Sequence, residues 1–208
     1  PKYDKQKTVL ESVLKLLDEG MAQFDESNPN LIIKDYDLFY NGKIASWKKL
    51  GNSLKFRTLM LMVDADPSKA AAIGALLANP ENMIASTAEN WRFPYGKDAS
   101  MNNPKYRLIN ELNGGANNLF LANKAVIDYM LPKNDPRIPK YFEPGADGKY
   151  RGVGTDQEAD KNTSYISSYL QRADAPDLLC SYQELLLLQA EAYARGIGVA
   201  KDMNKAQV

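Results

Sequence analysis

The sequence predicts an all-α fold in which paired helices surround one central helix and long irregular loops connect the later ones. Residues 44–63 carry apolar side chains at three- and four-residue steps, which is the period of a helix that packs on its neighbours. Two more helical stripes flank this segment, and the short turns between them favour antiparallel helix neighbours. The 208 residues are 44% hydrophobic and 25% charged, which suffices for one domain with a full core.

The central helix is predicted to begin after a turn at Asn41 and Gly42, where glycine accepts a positive φ at little cost. Its first half is amphipathic, because lysine and asparagine side chains oppose the apolar stripe. Beyond Leu54 the helix is apolar almost all round, so we expect other elements to surround it. Arg57 is expected to satisfy a neighbouring carbonyl or carboxylate group. The apolar positions are Ile44, Trp47, Leu50, Leu54, Phe56, Leu59, Met60, Leu61, Met62 and Val63.

The helices on either side have recognisable ends. The first is predicted to run from a cap at Asp4 to about Phe24, with residues 28–30 (NPN) closing it. The next starts at Asp66, where an aspartate cap precedes a proline, and ends before Pro80. The apolar stripe of the first helix comprises Leu10, Val13, Leu14, Leu17, Met21 and Phe24.

A long structured loop is predicted over residues 80–117, where neither a helical nor a strand period persists. Proline, glycine and asparagine are frequent there, and one short helix is expected near residues 106–112. Long ordered loops on a rigid scaffold often hold binding residues. The aromatic residues of this loop are Trp91, Phe93, Tyr95 and Tyr106.

The second half of the chain contains two more predicted helices. Helical periodicity returns over residues 119–130 and stops before Pro132. A second loop, containing glycine and serine, covers residues 152–177. The last helix opens at Ser181, since a serine followed three residues later by glutamate forms a capping box, and it stops at Gly196.

The composition excludes several classes of function. Lysine plus arginine equals aspartate plus glutamate at 26 each, and this zero net charge argues against nucleic-acid binding. The single cysteine, Cys180, rules out an intramolecular disulfide, and we expect an inert, partly buried thiol. The sequence has no histidine, which removes the commonest general base and metal ligand. No apolar run is long enough to span a bilayer, and both ends lead us to expect a fragment of a longer chain.

Three short runs in the central segment resemble one known family. Residues 40–42 (YNG), 47–50 (WKKL) and 52–57 (NSLKFR) follow the order and spacing of the signature of the SusD/RagB family, in its SusD-like 2 branch. Further similarities follow in the order of the family at residues 89–95 (ENWRFPY), 135–142 (DPRIPKYF), 147–152 (DGKYRG) and 182–196 (YQELLLLQAEAYARG).

The resemblance implies a fold and a function. Members of this family are nutrient-binding outer-membrane lipoproteins, so we expect one SusD-like α-helical domain over residues 1–208, truncated at both ends, with tetratricopeptide-like helix pairs and long irregular loops. We expect it to bind a glycan or oligosaccharide at the surface of a Gram-negative cell and to deliver it to a SusC-like, TonB-dependent transporter. The intact protein would be held by an N-terminal lipid anchor, with no cofactor and no enzymatic activity. The chain departs from the family signature at two positions, with Lys43 where the family usually has aspartate and Leu61 where it often has arginine. Any role of those two family charges is therefore in doubt for this chain.

Loop aromatics and their polar neighbours are the candidate ligand contacts. Sugar rings present flat C–H faces to aromatic rings, and their hydroxyls pair with asparagine, aspartate and arginine. The same rings would equally pin the loops to the helices, since buried aromatics carry large packing energies. No residue matches a fixed ligand motif of the family. The candidates are Asn90, Trp91, Arg92 and Tyr95 in the first loop, and Tyr150 and Tyr165, near Arg151 and Tyr169, in the second.

Other classes of function remain open. Helical repeats also bind peptides in concave grooves, so an adaptor with a protein partner and no small ligand is the main alternative. A glycosidase would need a defined pair of carboxylates. Carboxylates are present at Asp135 and Glu143 and within residues 156–160, but their spacing does not single out a catalytic pair. Residues 156–162 carry oxygen-bearing side chains at alternate positions, as a calcium-binding loop does. They lack the glycine at the sixth position and the glutamate at the twelfth position of an EF-hand loop. We therefore expect a solvated acidic loop there.

Overall fold

The structure is a computed structural model that describes residues 3–27, 34–112, 114–115 and 119–207. Over these residues it is mainly helical, which confirms the predicted all-α class. None of the described helices is long and apolar enough to cross a lipid bilayer. The helices are α1 Gln6–Ala22, α2 Ile44–Met62, α3 Ala70–Leu77, α4 Pro104–Arg107, α5 Lys124–Met130, α6 Ile138–Tyr141 and α7 Tyr182–Arg195. The strands, which were not predicted, are β1 Trp91–Phe93, β2 Phe142–Glu143, β3 Tyr165–Ile166 and β4 Asp177–Cys180.

The chain divides into two compact units. The first unit comprises Pro1–Phe93 and Leu178–Val208, and the second unit comprises Pro94–Asp177. Each unit has its own cluster of buried hydrophobic side chains, and the cluster of the first unit is the larger. Strand β1 pairs with β4, and β2 pairs with β3 in an antiparallel sheet.

Helix α2 lies at the centre of the first unit, where it contacts α1, α3 and α7. Its Leu50, Phe56 and Leu59 side chains are at most 2% exposed and belong to the larger hydrophobic cluster. The prediction that this helix organises the core is therefore confirmed. The expectation that other elements surround its second half on all sides is wrong at Leu61, whose side chain is 63% exposed.

The helix starts on either side of α2 differ in how they are capped. Helix α1 begins at Gln6, so Lys5 occupies the N-cap position and makes no side-chain capping bond. The cap predicted at Asp4 is thus wrong, because this residue stands one position too early to reach the first free N–H groups. The cap predicted at Asp66 is confirmed: its carboxylate accepts the N–H two residues later at 3.2 Å and caps the 3-10 turn Pro67–Lys69, which leads directly into α3. The closing turn predicted at residues 28–30 lies outside the described residues.

Helix α3 and the segment after α7 meet backbone to backbone at two glycines. A Cβ atom on Gly74 would lie 2.1 Å from the carbonyl oxygen of Gly198. A Cβ atom on Gly198 would lie 2.1 Å from the carbonyl oxygen of Ala70, and Gly198 also has a positive φ of 69°. Side chains at these two positions would force the two segments apart.

Helix α7 has the ends that the sequence predicts. The Ser181 hydroxyl accepts the Glu184 N–H at 3.1 Å, and the helix stops at Gly196 with a left-handed φ of 73°. The Glu184 carboxylate accepts from the Arg57 guanidinium at 3.3 Å, and the same guanidinium donates to the Leu179 carbonyl at 3.1 Å. These contacts confirm the structural role expected of Arg57.

The second unit consists of short helices, turns and loops. The helix expected near residues 106–112 is present as α4 with the π-helical turn Leu108–Leu112. The helix expected over residues 119–130 begins only at Lys124, because Asn123 accepts a backbone N–H at 2.9 Å and caps it. The buried cluster of this unit contains Ala122, Ile127, Met130, Ile138 and Phe142.

Candidate functional site

Three of the first-loop candidates, Asn90, Trp91 and Arg92, belong to the first unit. The Oδ1 atom of Asn90 accepts the backbone N–H of Tyr182 at 2.7 Å, so this side chain holds the loop to the helix. The Trp91 ring packs against the larger cluster, edge-on to Phe39 with centroids 5.8 Å apart. Its Nε1 atom is buried and has no hydrogen-bond partner among the described residues. Arg92, by contrast, is exposed.

Tyr95 belongs to the second unit, where its hydroxyl donates to the Asp177 carboxylate at 3.0 Å. Desolvation, and then the hydrogen bond and negative charge of Asp177, raise the pKa of Tyr95. The phenol therefore stays protonated at neutral pH and acts as a hydrogen-bond donor.

Tyr150 and Tyr165 are close together in the second unit. The Ser164 N–H donates to the Arg151 carbonyl at 2.9 Å, and the Arg151 N–H donates to the Ser164 hydroxyl at 3.1 Å. Tyr150 packs against the smaller cluster, and Tyr165 is paired with Glu143 across the β2–β3 sheet. The backbone bonds between Arg151 and Ser164 thus join the two segments that carry these tyrosines.

A carboxylate that the sequence analysis missed organises the segment before α2. Asp37 accepts the N–H groups of Phe39 at 3.0 Å and Tyr40 at 3.2 Å on Oδ1. Its Oδ2 atom accepts from the Gly42 N–H and from Trp47 Nε1, both at 2.8 Å. Desolvation acts to raise the pKa of Asp37, but these four hydrogen bonds outweigh it and lower the pKa below its ordinary value. An aspartate just before a turn is a local signal for such bonding, but the contact with Trp47 is tertiary.

The first pair of carboxylates considered for hydrolysis, Asp135 and Glu143, is occupied by protein donors. Asp135 accepts from the Arg137 guanidinium at 2.6 Å and from the Arg137 backbone N–H at 2.9 Å, and these bonds lower the pKa of Asp135 to about 2. Glu143 accepts from both the backbone N–H and the hydroxyl of Ser168 at 2.9 Å. A carboxyl group that is ionised down to about pH 2 cannot supply a proton as a general acid near neutral pH.

The cysteine and the acidic loop offer little reactive chemistry. Cys180 is 1% exposed, and desolvation is the main cause that raises the pKa of its thiol to about 11. This confirms the inert thiol expected from the sequence, since the thiolate is the nucleophilic form. Asp156, Glu158 and Asp160 are exposed. No group of three or more cysteine, aspartate or glutamate side chains within the described ranges is placed to hold a metal ion.

Two cavities differ in their chemistry. An apolar groove of about 200 Å³ in the first unit is lined by side chains of α1 and α2 and by Trp91. Such walls cannot satisfy the hydroxyl groups of a sugar, since polar groups that lose water need new partners. A cavity of about 300 Å³ in the second unit is also mainly apolar, but its walls include amide, hydroxyl and charged side chains. Its walls include Tyr106, Ile109, Asn110, Ser168, Gln171 and Arg172, none of which the sequence analysis selected as a ligand contact.

Comparison with known families identifies the class of this protein. The profile of the family SusD-like_2, described as starch-binding and associating with the outer membrane, matches residues 1–207. The chain therefore belongs to the SusD-like family. The match confirms the resemblance carried by residues 40–57, and it agrees with the helical fold.

Solved structures show the same fold. The structure is similar to that of a chitin-binding protein, with a TM-score of 0.72 and 28% identity, over 99% of this chain and 48% of that one. A chitin-binding SusD homologue from Flavobacterium johnsoniae matches with a TM-score of 0.77 and 21% identity, over 98% of this chain and 43% of that one. A SusD homologue from Parabacteroides distasonis matches with a TM-score of 0.76 and 22% identity, over 99% of this chain and 47% of that one. The chain thus spans about half the length of these proteins, and the predicted tetratricopeptide-like architecture is confirmed. No curated protein sequence matches the chain significantly.

Proposed function

We propose that this chain belongs to a cell-surface protein that captures oligosaccharides and delivers them to a SusC-like, TonB-dependent transporter. The observation that carries this proposal is the family match over residues 1–207, because the family is described as starch-binding and as associating with the outer membrane. The complete protein is a lipoprotein, held on the outer membrane of a Gram-negative cell by an N-terminal lipid anchor.

The proposed ligands are oligosaccharides of the starch and chitin types. Starch is named in the description of the family, and two of the similar structures are chitin-binding proteins. A delivery protein must also release its cargo, so we expect roughly micromolar to millimolar dissociation constants, which correspond to about −8 to −4 kcal/mol.

The proposed activity is binding without a chemical step. The chain has no histidine, its cysteine is buried, and Asp135 is held in the ionised form by Arg137. Glu143 is engaged by Ser168. These observations support capture and release over hydrolysis, which needs one protonated and one ionised carboxyl group.

The candidate residues divide into two roles in this proposal. Asn90 and Trp91 hold the first loop, since Asn90 bonds to the start of α7 and the Trp91 ring packs on the larger cluster. The proposed ligand contacts are Arg92, Tyr95, Tyr150 and Tyr165.

Calorimetric titration with hexamers of glucose and of N-acetylglucosamine tests this proposal. We expect Arg92→Ala to weaken binding several-fold at an unchanged melting temperature, because Arg92 is exposed. The neighbouring Trp91→Ala variant is the matched comparison, and we expect it to lose about 3 kcal/mol of stability, because an aromatic ring that packs on the core is removed. Absence of binding to any glycan would contradict the proposed function, whereas unchanged binding by Arg92→Ala would reject that contact alone.

Delivery is tested on the complete protein in its own membrane. We expect the tagged, full-length protein to co-purify with a large β-barrel receptor after the outer membrane is dissolved in mild detergent. Recovery of the protein without a barrel, under conditions that preserve other membrane complexes, would argue against the transporter partner.

A further inference from the structure

A clamp formed by one buried asparagine joins two segments that contribute walls to the cavity of the second unit. Asn103 is 3% exposed, and its backbone N–H donates to the Ala173 carbonyl at 2.8 Å. Its side-chain Nδ2 donates to the Ala175 carbonyl, also at 2.8 Å. These bonds join the start of α4 to the segment after Gln171. Tyr106 and Gln171, which lie near the two joined segments, both line this one cavity.

Gln171 carries an unsatisfied acceptor in the wall of this cavity. The side chain is 6% exposed, and its Nε2 atom donates to the Ile166 carbonyl at 3.3 Å. Its Oε1 atom is buried and has no hydrogen-bond partner among the described residues. A buried acceptor without a partner is uncommon and costs free energy. Because the last torsion of glutamine is broad, a modest rotation of the amide lets a ligand donor reach Oε1.

The remaining walls favour a small, neutral ligand. The Arg172 guanidinium is paired with the Asp174 carboxylate at 3.0 Å, so the charges of the wall are close to balanced. Ile109, which is 5% exposed, and the half-buried Tyr106 ring supply apolar surface. A charged ligand would have to displace one member of this ion pair, so the walls favour a neutral ligand. The volume of about 300 Å³ lies at the lower end of ligand cavities, which suits one sugar ring.

We propose that this cavity binds one neutral sugar unit of a glycan. A hydroxyl or amide N–H of the sugar donates to Gln171 Oε1, and the Arg172 guanidinium donates to a sugar oxygen. The Tyr106 ring covers the C–H face of the sugar. This assignment rests on the proposed function, whose starch- and chitin-type ligands are neutral, and adds to it a subsite in the second unit that holds one sugar unit.

Calorimetric titration of the 208-residue protein with three hexamers tests the assignment: those of glucose, N-acetylglucosamine and galacturonate. We expect at least one neutral hexamer to bind, and to bind more tightly than the galacturonate hexamer. We expect Gln171→Met and Tyr106→Ala to weaken this binding at least ten-fold. Gln157→Met and Tyr129→Ala are the matched controls, because Gln157 is exposed and Tyr129 is 65% exposed in the same unit, and we expect both to stay within two-fold of the wild type.

Stability and spectroscopy separate a binding role from a packing role. We expect Gln171→Met to melt close to the wild-type temperature, because it removes an unsatisfied buried acceptor together with the bond from Nε2 to the Ile166 carbonyl. The side-chain amide signal of Gln171 in nitrogen-15 NMR, assigned by its loss in Gln171→Met, is expected to shift when the neutral hexamer is added. Should Gln171→Met fail to fold, Tyr106→Ala and the amide signal decide the question.

The outcomes distinguish this inference from the proposed function. A neutral hexamer that binds the wild type and both cavity variants equally, with no shift of the Gln171 amide signal, would overturn the inference and leave the proposed function standing. Tighter binding of the galacturonate hexamer would overturn the neutral ligand class. If no hexamer binds the wild type, the proposed function and this inference both fail.

Discussion

The substitution Asp37→Asn tests whether one carboxylate holds the segment before α2. It keeps the shape of the side chain but replaces one carboxylate oxygen with an NH2 group, which cannot accept. Two of the four donors then lose their acceptor, either the N–H groups of Phe39 and Tyr40 or those of Gly42 and the Trp47 indole. Hydrogen bonds to charged groups contribute about 1.5–3 kcal/mol each, so for this partly buried site we expect a total loss of ~3 kcal/mol.

The effect should depend on pH in a defined direction. The pKa of Asp37 in the folded protein lies below its ordinary value, which is about 3.9 in an unfolded chain. A carboxyl group with a lowered folded pKa stabilises the protein fully above its unfolded pKa, and this contribution is lost as the pH falls through the folded pKa. The difference in stability between wild type and Asp37→Asn should therefore be full at neutral pH and shrink below about pH 4.

Urea unfolding followed by circular dichroism, at neutral pH and near pH 3, measures both effects. Asp35→Asn is the matched control, because Asp35 is an exposed aspartate two residues earlier, and we expect it to unfold like the wild type. A change within about 0.5 kcal/mol for Asp37→Asn, which is the size of an ordinary surface substitution, would refute the organising role. An equal difference at both pH values would refute the charge as its cause.

Two further predictions concern the core of the first unit. Leu50→Asp should unfold the protein, since Leu50 is 2% exposed and the change buries an unpaired charge, whereas Leu61→Asp on the same helix, at 63% exposure, should keep the melting temperature. A wild-type melting curve for Leu50→Asp would mean that α2 is peripheral. Cys180 should react with dithiobis(nitrobenzoate) at neutral pH only after unfolding, because its thiol is 1% exposed and burial raises its pKa to about 11. Rapid labelling of the folded protein would contradict that assignment.

The parts of the fold that the sequence predicts are those with local causes. The apolar period of α2 and the capping box at Ser181 are each contained within a few turns of chain, and both are present. The predicted start of α5 is too early. The apolar period continues upstream of Asn123, but the side chain of Asn123 caps the helix, so the helix begins only after it. The strands are two to four residues long, too short for a period of two to be visible.

The candidate site was less predictable, because its geometry depends on contacts between distant residues. The sequence identifies Asn90 as a polar residue near aromatic rings, but its bond to Tyr182 crosses 92 positions. The clamp from Asn103 to Ala175 crosses 72 positions, and the orphaned acceptor of Gln171 has no sequence signal at all. The ligand roles of the loop aromatics and the expectation of a single domain over residues 1–208 stay predictions.

The contact between Gly74 and Gly198 limits how sequences with this arrangement can diverge. Two core positions in contact are usually substituted together, since a larger side chain on one element can be offset by a smaller side chain on the other. Here each added Cβ would meet main-chain atoms, so no change at the other position makes room. We therefore expect glycine to be retained at both positions independently, without the covariation that ordinarily reveals two residues in contact.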